Sequence, residues 1–476
     1  MDYKGFDAYE RSIEKIEGCT IFMARDDGRD TIIVLADDGA DAGALGFTGY
    51  ALKQGIKAPL THENALVLRK LLPHTAPSQV LRKDRSFGCG DRLGIAALGH
   101  IRVFEKYDAY PVFAQQSIRE LNLTGRTYED VLDTVSFAVF REGYRKGWGA
   151  DGDHLKTVKD LEYALGLGFS MITLDCSDHI KTNVTAANAK SLPQAYKDKY
   201  LGKQFDIGEG VSLCFDEEEL KKIVTIYGEA IGFAADMYKR FLKDGVYKAD
   251  FEISIDETSE PTTPLQHYFV ARELIDAGVS FITLAPRFCG EFQKGIDYRG
   301  DLAQFEKEIK VHAVIARHFK YKLSIHSGSD KFSVFPSIGR ETGGVFHVKT
   351  AGTNWLEAMG IVAAADPALY REVHKYALSA FSEAAKYYHV TTDLSKIPAV
   401  DSLKDSELPG LSANNDARQL IHITYGLILN KKDPSGAYEF KDRLYKLWHD
   451  REELYAEALL THIGKHLDLL GVQKTG

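Results

Sequence analysis

The chain has 476 residues, 44% of them hydrophobic, and a formal net charge of −9, so it is long enough for one large core with additions. Acidic and basic residues are mixed along the chain, which argues against a nucleic-acid or membrane surface and favours a small dissolved substrate. The five cysteines are scattered without a C-x-x-C pair, and no run of about 18 apolar residues occurs. We therefore expect neither a disulfide framework nor a thiolate zinc site, and neither secretion nor membrane insertion. We expect a cytoplasmic location.

The predicted elements begin with a small accessory α/β unit at residues 1–80, which has a strand candidate at TIIVLA and a glycine-rich turn at GALGFTG. We interpret this unit as serving assembly, for example into a homo-oligomer. From residue 81 to 360, short β-rich runs alternate with longer amphipathic segments, the pattern of a parallel sheet covered by helices. The eight runs are SFGCG near residue 86, YPVFAQ near 110, WGAD near 148, FSMITLDC near 169, YKADFEISID near 247, VSFITLAP near 279, YKLSIH near 321 and VFHVKT near 345.

Eight such units predict a closed TIM (β/α)8 barrel of the α/β class rather than an open doubly wound sheet. Two segments depart from the repeat. Residues 182–249, between the fourth and fifth runs, are too long for an ordinary loop and are predicted to form a helical insertion over the barrel mouth. Residues 361–476 have helical periodicity and are predicted to form a C-terminal helical extension.

Ligand-type residues follow the predicted strand ends, where barrel enzymes place their catalytic groups. His154 follows the third run, His326 ends the seventh, and His347 lies on the eighth. Neutral imidazoles with a carboxylate suit Zn, Mn, Co, Fe or Ni, so we predict a divalent metal cation held by these histidines. Any one of them alone is more often a core or surface histidine, and their shared position at strand ends is what favours a metal site.

Asp153 and Glu257 are the predicted acid/base pair, because they leave the third and fifth strands on different sides of the mouth. Asp175, Asp178 and Asp256 compete for that role. In the alternative interpretation each of these carboxylates is an ordinary loop residue, a helix cap or a support for a metal ligand.

Lys156, Asp175, Arg287 and Lys349 are the predicted substrate-binding residues, with the three cations available to an anionic substrate group. Lys349, expected inside the barrel, is also a candidate Schiff-base lysine, which would make the chain a metal-free aldolase. Arg418 and His422, one helical turn apart, either reach over the mouth to a substrate carboxylate or only dock their helix.

Four motifs resemble the tagaturonate/fructuronate epimerase family over nearly the whole chain: S-F-G-C-G-D-R-L-G at 86–94, G-A-D-G-D-H-L-K-T at 149–157, T-L-D-C-S-D-H-I at 173–180 and N-D-A-R-Q-L-I-H-I-T-Y-G at 415–426. The resemblance implies a metal-dependent enzyme of hexuronate catabolism that interconverts D-tagaturonate and D-fructuronate. Some members of the family also act on D-fructose and D-tagatose. By motif, the resemblance implies that Asp153 is the proton acceptor and His154 the first metal ligand, whereas the other ligands and the proton donor rest on strand-end position.

The carbon inverted in that reaction lies two atoms from the ketone, so simple enolisation does not acidify its hydrogen. Retro-aldol cleavage, rotation of the aldehyde fragment and re-addition form one consistent hypothesis. Transient oxidation by a held nicotinamide is the other, although no dinucleotide-binding motif occurs in the sequence. A barrel aldolase or ketose isomerase is the main enzymatic alternative, and a non-catalytic carbohydrate-binding protein is the alternative from another class.

Overall fold

Eight parallel strands close into a barrel in the computed structural model, which describes residues 1–37 and 40–475. We number these strands β1 Arg85–Gly90, β2 Tyr110–Ser117, β3 Gly149–Leu155, β4 Met171–Asp175, β5 Asp250–Ile255, β6 Thr283–Pro286, β7 Lys322–Ile325 and β8 Phe346–Ala351. Each strand pairs in parallel with the next, and β8 closes the barrel on β1. The predicted TIM barrel and its strand runs are confirmed.

Helices follow each barrel strand and cover the outside of the barrel. In chain order they are Ala97–Lys106, Ile118–Thr124 with Tyr128–Arg141, Val158–Gly166, Glu217–Phe241, Pro264–Asp276, Leu302–Phe319, Phe335–Glu341 and Thr353–Ala365. The apolar faces of all these helices except Thr353–Ala365, together with the outward side chains of the strands, form the largest buried apolar cluster. No helix in the described part of the chain is long and apolar enough to cross a membrane.

The segment between β4 and β5 differs from the helical cover expected over the mouth. It contains the short helix Gln194–Tyr200, a hairpin of strands Gln204–Gly208 and Val211–Cys214, and the long helix Glu217–Phe241, which packs against Pro264–Asp276. Aromatic contacts hold the hairpin on the outside of the barrel, among Tyr200, Phe205, Phe215, Tyr268 and Phe269. None of the described residues from 182 to 249 lines the cavity at the mouth.

The chain before the barrel forms an antiparallel sheet with one α-helix. Its strands are Asp2–Tyr3, Phe6–Ala8, Glu14–Ile16, Cys19–Asp26, Arg29–Ala36, Tyr50–Leu52 and Gly55–Ala58. The helix His62–Leu71 packs between this sheet and the barrel helix Tyr128–Arg141, and the apolar core of the sheet includes Phe137 and Phe140 of that barrel helix.

The chain after the barrel is helical, with short 3-10 turns between the helices Pro367–Ala384, Asn415–Asn430, Lys441–Asp450 and Glu452–Leu469. These helices share a second apolar core with Thr353–Ala365, and the last of them returns to pack along Ala97–Lys106. The C-terminal helices thus pack on the barrel wall near β1 and β8.

Arg141 joins the N-terminal sheet, the barrel and the C-terminal helices. Its guanidinium donates to both Glu452 carboxylate oxygens at 2.7 and 3.0 Å and to Asp30 at 3.2 Å, and it stacks over the Tyr9 ring at 4.2 Å. Its side chain is only 11% exposed. A planar donor that is largely shielded from water and held by two carboxylates contributes more than a surface ion pair.

We expect Arg141→Ala to destabilise the fold by about 2–3 kcal/mol, because it leaves two shielded carboxylates short of a partner. The apparent melting temperature should fall by roughly 5 °C in a thermal unfolding scan. Arg443→Ala is the matched control, since the Arg443–Glu372 pair is about half exposed on both sides, and it should cost less than about 1 kcal/mol. Equal shifts for the two variants would contradict this interpretation of Arg141.

Candidate metal centre and active site

The inner face of the barrel carries polar and charged side chains instead of the aliphatic layers usual in this fold. Side chains alternate along a strand, so Glu252 and Ser254 follow one another on the inside of β5, and Asp256 continues the row directly after its end. The same alternation places Asp151 of β3, Thr173 of β4, Thr283 of β6 and Lys349 of β8 inside the barrel, where all are buried. A charged interior stabilises a fold poorly unless its groups are paired, so this pattern points to a function.

Lys349 lies at the centre of this interior. Its ammonium contacts Asp151 at 2.6 Å, Asp153 at 2.5 Å and Glu252 at 3.3 Å, and it donates to the Thr173 hydroxyl at 2.6 Å. Burial opposes the charge, but the three carboxylates outweigh burial and raise the pKa of Lys349 above its ordinary value. Lys349 is therefore protonated at neutral pH, which disfavours the Schiff-base role that needs a free amine.

The carboxyl end of β3 presents two adjacent residues to the same cavity. Asp153 and His154 both line it, although neighbours on a regular strand point to opposite faces. The pairing of β3 with β4 shifts register between Gly152 and Leu155, and His154 has a φ of 54°, in the left-handed region that favours glycine. A bulge of this kind redirects side chains, and backbone strain of about 1 kcal/mol or more is common at functional sites.

His154, Asp256 and His326 form a compact group of ligand-type atoms, each within 4.8 Å of the others. Asp256 Oδ1 lies 3.0 Å from His326 Nδ1 and 3.8 Å from His154 Nε2, and the imidazole centroids are 4.8 Å apart. The residues come from the ends of β3, β5 and β7, and all three line the cavity. Two imidazoles and a carboxylate are the donor set that divalent transition metals prefer.

A second carboxylate holds each imidazole from behind. His154 Nδ1 is 2.7 Å from Asp153 Oδ1, and His326 Nε2 is 2.8 Å from Glu252 Oε1. Metal-binding histidines commonly make this carboxylate contact, which fixes the ring orientation and the tautomer. Burial disfavours the imidazolium, but Asp256 and Glu252 outweigh it and raise the pKa of His326 to about 8, and Asp153 raises the pKa of His154 in the same way. The site thus attracts positive charge.

The cavity at the carboxyl ends of the strands has a volume of about 1100 Å³, ample for a six-carbon sugar. Of the remaining predicted residues, Glu257, Lys156, Asp175 and Arg287 all line it. Glu257 is exposed on the loop after β5. Because β4 separates β3 from β5, Glu257 flanks Asp153 rather than facing it across the barrel.

Lys156, Asp175 and Arg287 are already engaged within the protein. The Lys156 ammonium contacts Asp178 at 2.8 Å and Asp175 at 3.5 Å, and the Arg287 guanidinium donates to the main-chain carbonyl of Thr258. Asp175 accepts the main-chain N–H of Ser177 through Oδ1, whereas its buried Oδ2 has no hydrogen-bond partner within the described residues.

We call His154, Asp256 and His326 the metal-ligand group. His347 does not lie in this group, in contrast to the predicted ligand set. His347 is the second residue of β8, and its register partners are Ser86 of β1 and Ser324 of β7. Its Nδ1 hydrogen-bonds with the Ser86 hydroxyl at 2.9 Å, and burial lowers the pKa of its imidazole to about 3. It is a neutral core residue one layer below Lys349, and Asp256 takes its place in the group.

Neither the place of Asp256 beside the two histidines nor the support that Glu252 gives His326 is predicted from the sequence. Asp256 is predicted only as an acid/base competitor, and Glu252 is not among the predicted residues. The available signal was the alternation Glu252-Ile-Ser254-Ile-Asp256, which puts an unbroken polar row on one face of a buried strand.

Arg418 docks its helix and does not reach the substrate space. It donates to Asp330 at 2.8 Å and to the main-chain carbonyl of Gly295 at 2.7 Å. His422 is buried in the same helix, where burial lowers its pKa well below the ordinary value. These contacts support the interpretation that Arg418 and His422 dock their helix, and not the one in which they reach a substrate carboxylate.

Asp330, His462 and His466 form a second group with ligand-type atoms close together. His466 Nε2 already accepts the main-chain N–H of Asp330 at 3.1 Å, and His466 Nδ1 hydrogen-bonds with the carbonyl of His462 at 2.8 Å. Asp330 also pairs with Arg418. These contacts occupy both nitrogens of His466, so the group fastens the C-terminal helix to the loop after β7.

The chain is similar to known proteins over nearly its whole length. The sequence matches the tagaturonate epimerase family over residues 9–470. A tagaturonate/fructuronate epimerase of Thermotoga maritima is 45% identical over 480 aligned positions, which cover 98% of this chain and 97% of the relative. The fructuronate-tagaturonate epimerase UxaE of Cohnella laeviribosi is 48% identical, and its native crystal structure has a TM-score of 0.94 over 98% of this chain and 97% of that one. Its complex with one glycerol has the same TM-score of 0.94 and identity of 48%, over 99% of this chain and 97% of that one. The chain therefore belongs to the tagaturonate epimerase family and is an enzyme of the isomerase class, as the motifs predicted.

Proposed function

We propose that this chain is a metal-dependent epimerase that interconverts D-tagaturonate and D-fructuronate, with D-fructose and D-tagatose as further substrates. The observation that carries the proposal is the group His154, Asp256 and His326 at the base of a sugar-sized cavity, in a chain of this family. A site that only bound sugar would not need buried carboxylates and imidazoles around a cation position.

The donor set supports a divalent metal such as Zn, Mn, Co, Fe or Ni, with His154, His326 and Asp256 as its ligands. The charge balance supports the same conclusion. Asp151, Asp153, Glu252 and Asp256 are buried or nearly so around this point, whereas Lys349 is their only lysine contact among the described residues. Imidazoles that bind a metal are neutral, so a divalent cation would offset the negative charge that Lys349 leaves.

We number substrate carbons with the ketone at C2, so that the carboxylate is C6 and the inverted carbon is C4. In the proposed reaction, Asp153 accepts the proton of the C4 hydroxyl, and the C3–C4 bond breaks. Its electron pair enters the C1–C3 enediolate, and C4 becomes an aldehyde. When bound, the metal would supply Lewis-acid stabilisation of the negative charge that develops on the substrate oxygens.

Asp153 has the negative charge and the available oxygen that a proton acceptor needs. Lys349 and His154 outweigh its burial and hold its pKa well below the usual range, so it is ionised at neutral pH. Both of its close contacts use Oδ1, which leaves Oδ2 for the substrate hydroxyl. After the aldehyde fragment rotates, the C4 oxygen points to a different side, and re-addition of C3 completes the inversion. Glu257, on the loop after β5, then supplies a proton to the C4 oxygen. Asp153 returns its proton to solvent, and the exposed Glu257 takes one up from solvent, so both carboxyl groups are reset.

The other cavity-lining residues orient the sugar. Lys156 and Asp175, which lie together beside β4, would share hydrogen bonds with substrate hydroxyls. Arg287, at the end of β6, would form part of the cavity wall.

We expect the purified protein to hold about one divalent metal per chain and to lose epimerase activity on dialysis against a chelator. Asp256→Asn should lower the metal content at least tenfold, because it removes a ligand charge. Metal analysis by mass spectrometry gives the content, and readdition of each candidate metal gives its identity. Asp236→Asn, an exposed residue on Glu217–Phe241, is the control and should keep its metal. Full activity in the metal-free protein would contradict the proposal.

We expect C4-deuterated substrate to react without a primary deuterium isotope effect, because retro-aldol cleavage leaves the C4–H bond intact. Substrate labelled with ¹³C at C3 or C4 should react more slowly, since the bond between these carbons breaks. Competitive isotope measurements check both effects after exhaustive removal of nucleotides. Stoichiometric bound nicotinamide, or a primary deuterium effect, would favour transient oxidation instead.

We expect borohydride added during turnover to leave the protein mass unchanged, because three carboxylates keep Lys349 protonated. Intact-mass and peptide mass spectrometry provide the measurement. A reduced substrate adduct on Lys349 would instead indicate the metal-free aldolase chemistry.

A further inference from the structure

Six lysine and arginine side chains line the cavity: Arg119, Lys156, Arg287, Lys294, Lys331 and Lys349. The protein itself satisfies four of them. Lys349 and Lys156 contact carboxylates, and Arg287 donates to a main-chain carbonyl. The Lys331 ammonium donates hydrogen bonds to the main-chain carbonyls of Gln293, Ile296 and Ser329, at 2.7 to 2.8 Å.

Lys294 and Arg119 are the two cavity-lining cations that have neither a carboxylate nor a carbonyl partner within the described residues. Within the described residues the Lys294 ammonium contacts only the Ser327 hydroxyl, at 3.5 Å, and it makes no ion pair. The Arg119 guanidinium lies over the Tyr388 ring at 5.3 Å, and no carboxylate of the described chain pairs with it. Burial lowers the pKa of Lys294, and Arg119 and Arg92 lower it further. A bound anion would offset both effects.

The position of Lys294 is fixed by its neighbours on either side. Lys331 holds the carbonyls of Gln293 and Ile296, and Arg418 holds the carbonyl of Gly295. Gln419 donates to the carbonyl of Lys294 itself at 3.3 Å. The motif at 415–426 therefore shapes this loop, and a cation on a fixed loop loses little entropy when it binds an anion.

Lys294 is also close to the metal-ligand group. Its contact Ser327 directly follows His326, and consecutive Cα atoms are about 3.8 Å apart. A sugar that reaches the metal-ligand group with its ketone end can therefore place its other end near Lys294.

We propose that Lys294, with Arg119 beside it, binds the substrate carboxylate and so sets the preference for hexuronates over neutral ketoses. This inference rests on the proposed function. It also identifies a role in the reaction: cleavage between C3 and C4 leaves the carboxylate on the aldehyde fragment. Lys294 would retain that fragment while its aldehyde carbon rotates. Lys156 and Arg287, the cations predicted for this contact, already have partners.

The experiment compares the wild type with Lys294→Gln and Lys294→Arg. Lys156→Gln tests the competing position, and Lys307→Gln, an exposed lysine on Leu302–Phe319, is the matched control. For each, kcat/KM is measured with D-tagaturonate and with D-tagatose, and hexuronate affinity is measured by calorimetry. Metal content and melting temperature report on folding of the variants.

We expect Lys294→Gln to lower the preference for hexuronate over neutral ketose about 10- to 150-fold, the range for a hydrogen bond to a charged group. Lys294→Arg should retain most of the preference, and Lys307→Gln all of it. Lys294→Gln should also release the three-carbon aldehyde acid into solution during turnover.

Three results would overturn the inference: a preference and hexuronate affinity within about threefold of wild type in Lys294→Gln, an equal loss for both sugars, or a loss of preference in Lys156→Gln instead. If the wild type epimerises neither sugar, the proposed function fails. The calorimetric comparison of hexuronate binding by wild type and Lys294→Gln then decides the carboxylate contact separately.

Discussion

The buried contact between Lys349 and the carboxylates of Asp151, Asp153 and Glu252 is the interaction on which the site depends. It connects β3, β5 and β8 through the centre of the barrel, and the hydroxyls of Thr173 and Thr283 add bonds from β4 and β6. Removing one member of a buried ion pair commonly costs about 3–5 kcal/mol, because the charge left behind stays buried. The network is therefore both a structural tie and a fixed source of charge.

The positions of the proposed metal ligands, His154, Asp256 and His326, follow from that tie. Two carboxylates of the network also hold the imidazoles, Asp153 behind His154 and Glu252 behind His326, and both imidazoles turn another nitrogen toward Asp256. Each carboxylate thus positions a histidine while Lys349 positions the carboxylate. This chain of contacts gives the site its geometry before any ligand binds, which is what precise catalysis requires.

Much of this arrangement could be predicted because it is periodic. Alternating β-rich and helical segments gave all eight strands, and position at a strand end identified His154 and His326. The rest depends on details that periodicity does not encode. His347 is on the same face of β8 as Lys349. It lies near the start of that strand, however, one layer of side chains below the site. The bulge that brings Asp153 and His154 to one cavity is set by strand register. Lys294 lies in a loop whose shape comes from Lys331 and Arg418, distant in sequence.

The most direct test is a crystal structure of the protein with a divalent metal and a hexuronate bound, with the metal located by its anomalous scattering. The account predicts an ion bound by His154, Asp256 and His326, the ketone end of the sugar at that ion, and the carboxylate on Lys294. An ion bound instead by Asp330, His462 and His466, or a sugar lying with its carboxylate against Lys156 or Arg287, would contradict it.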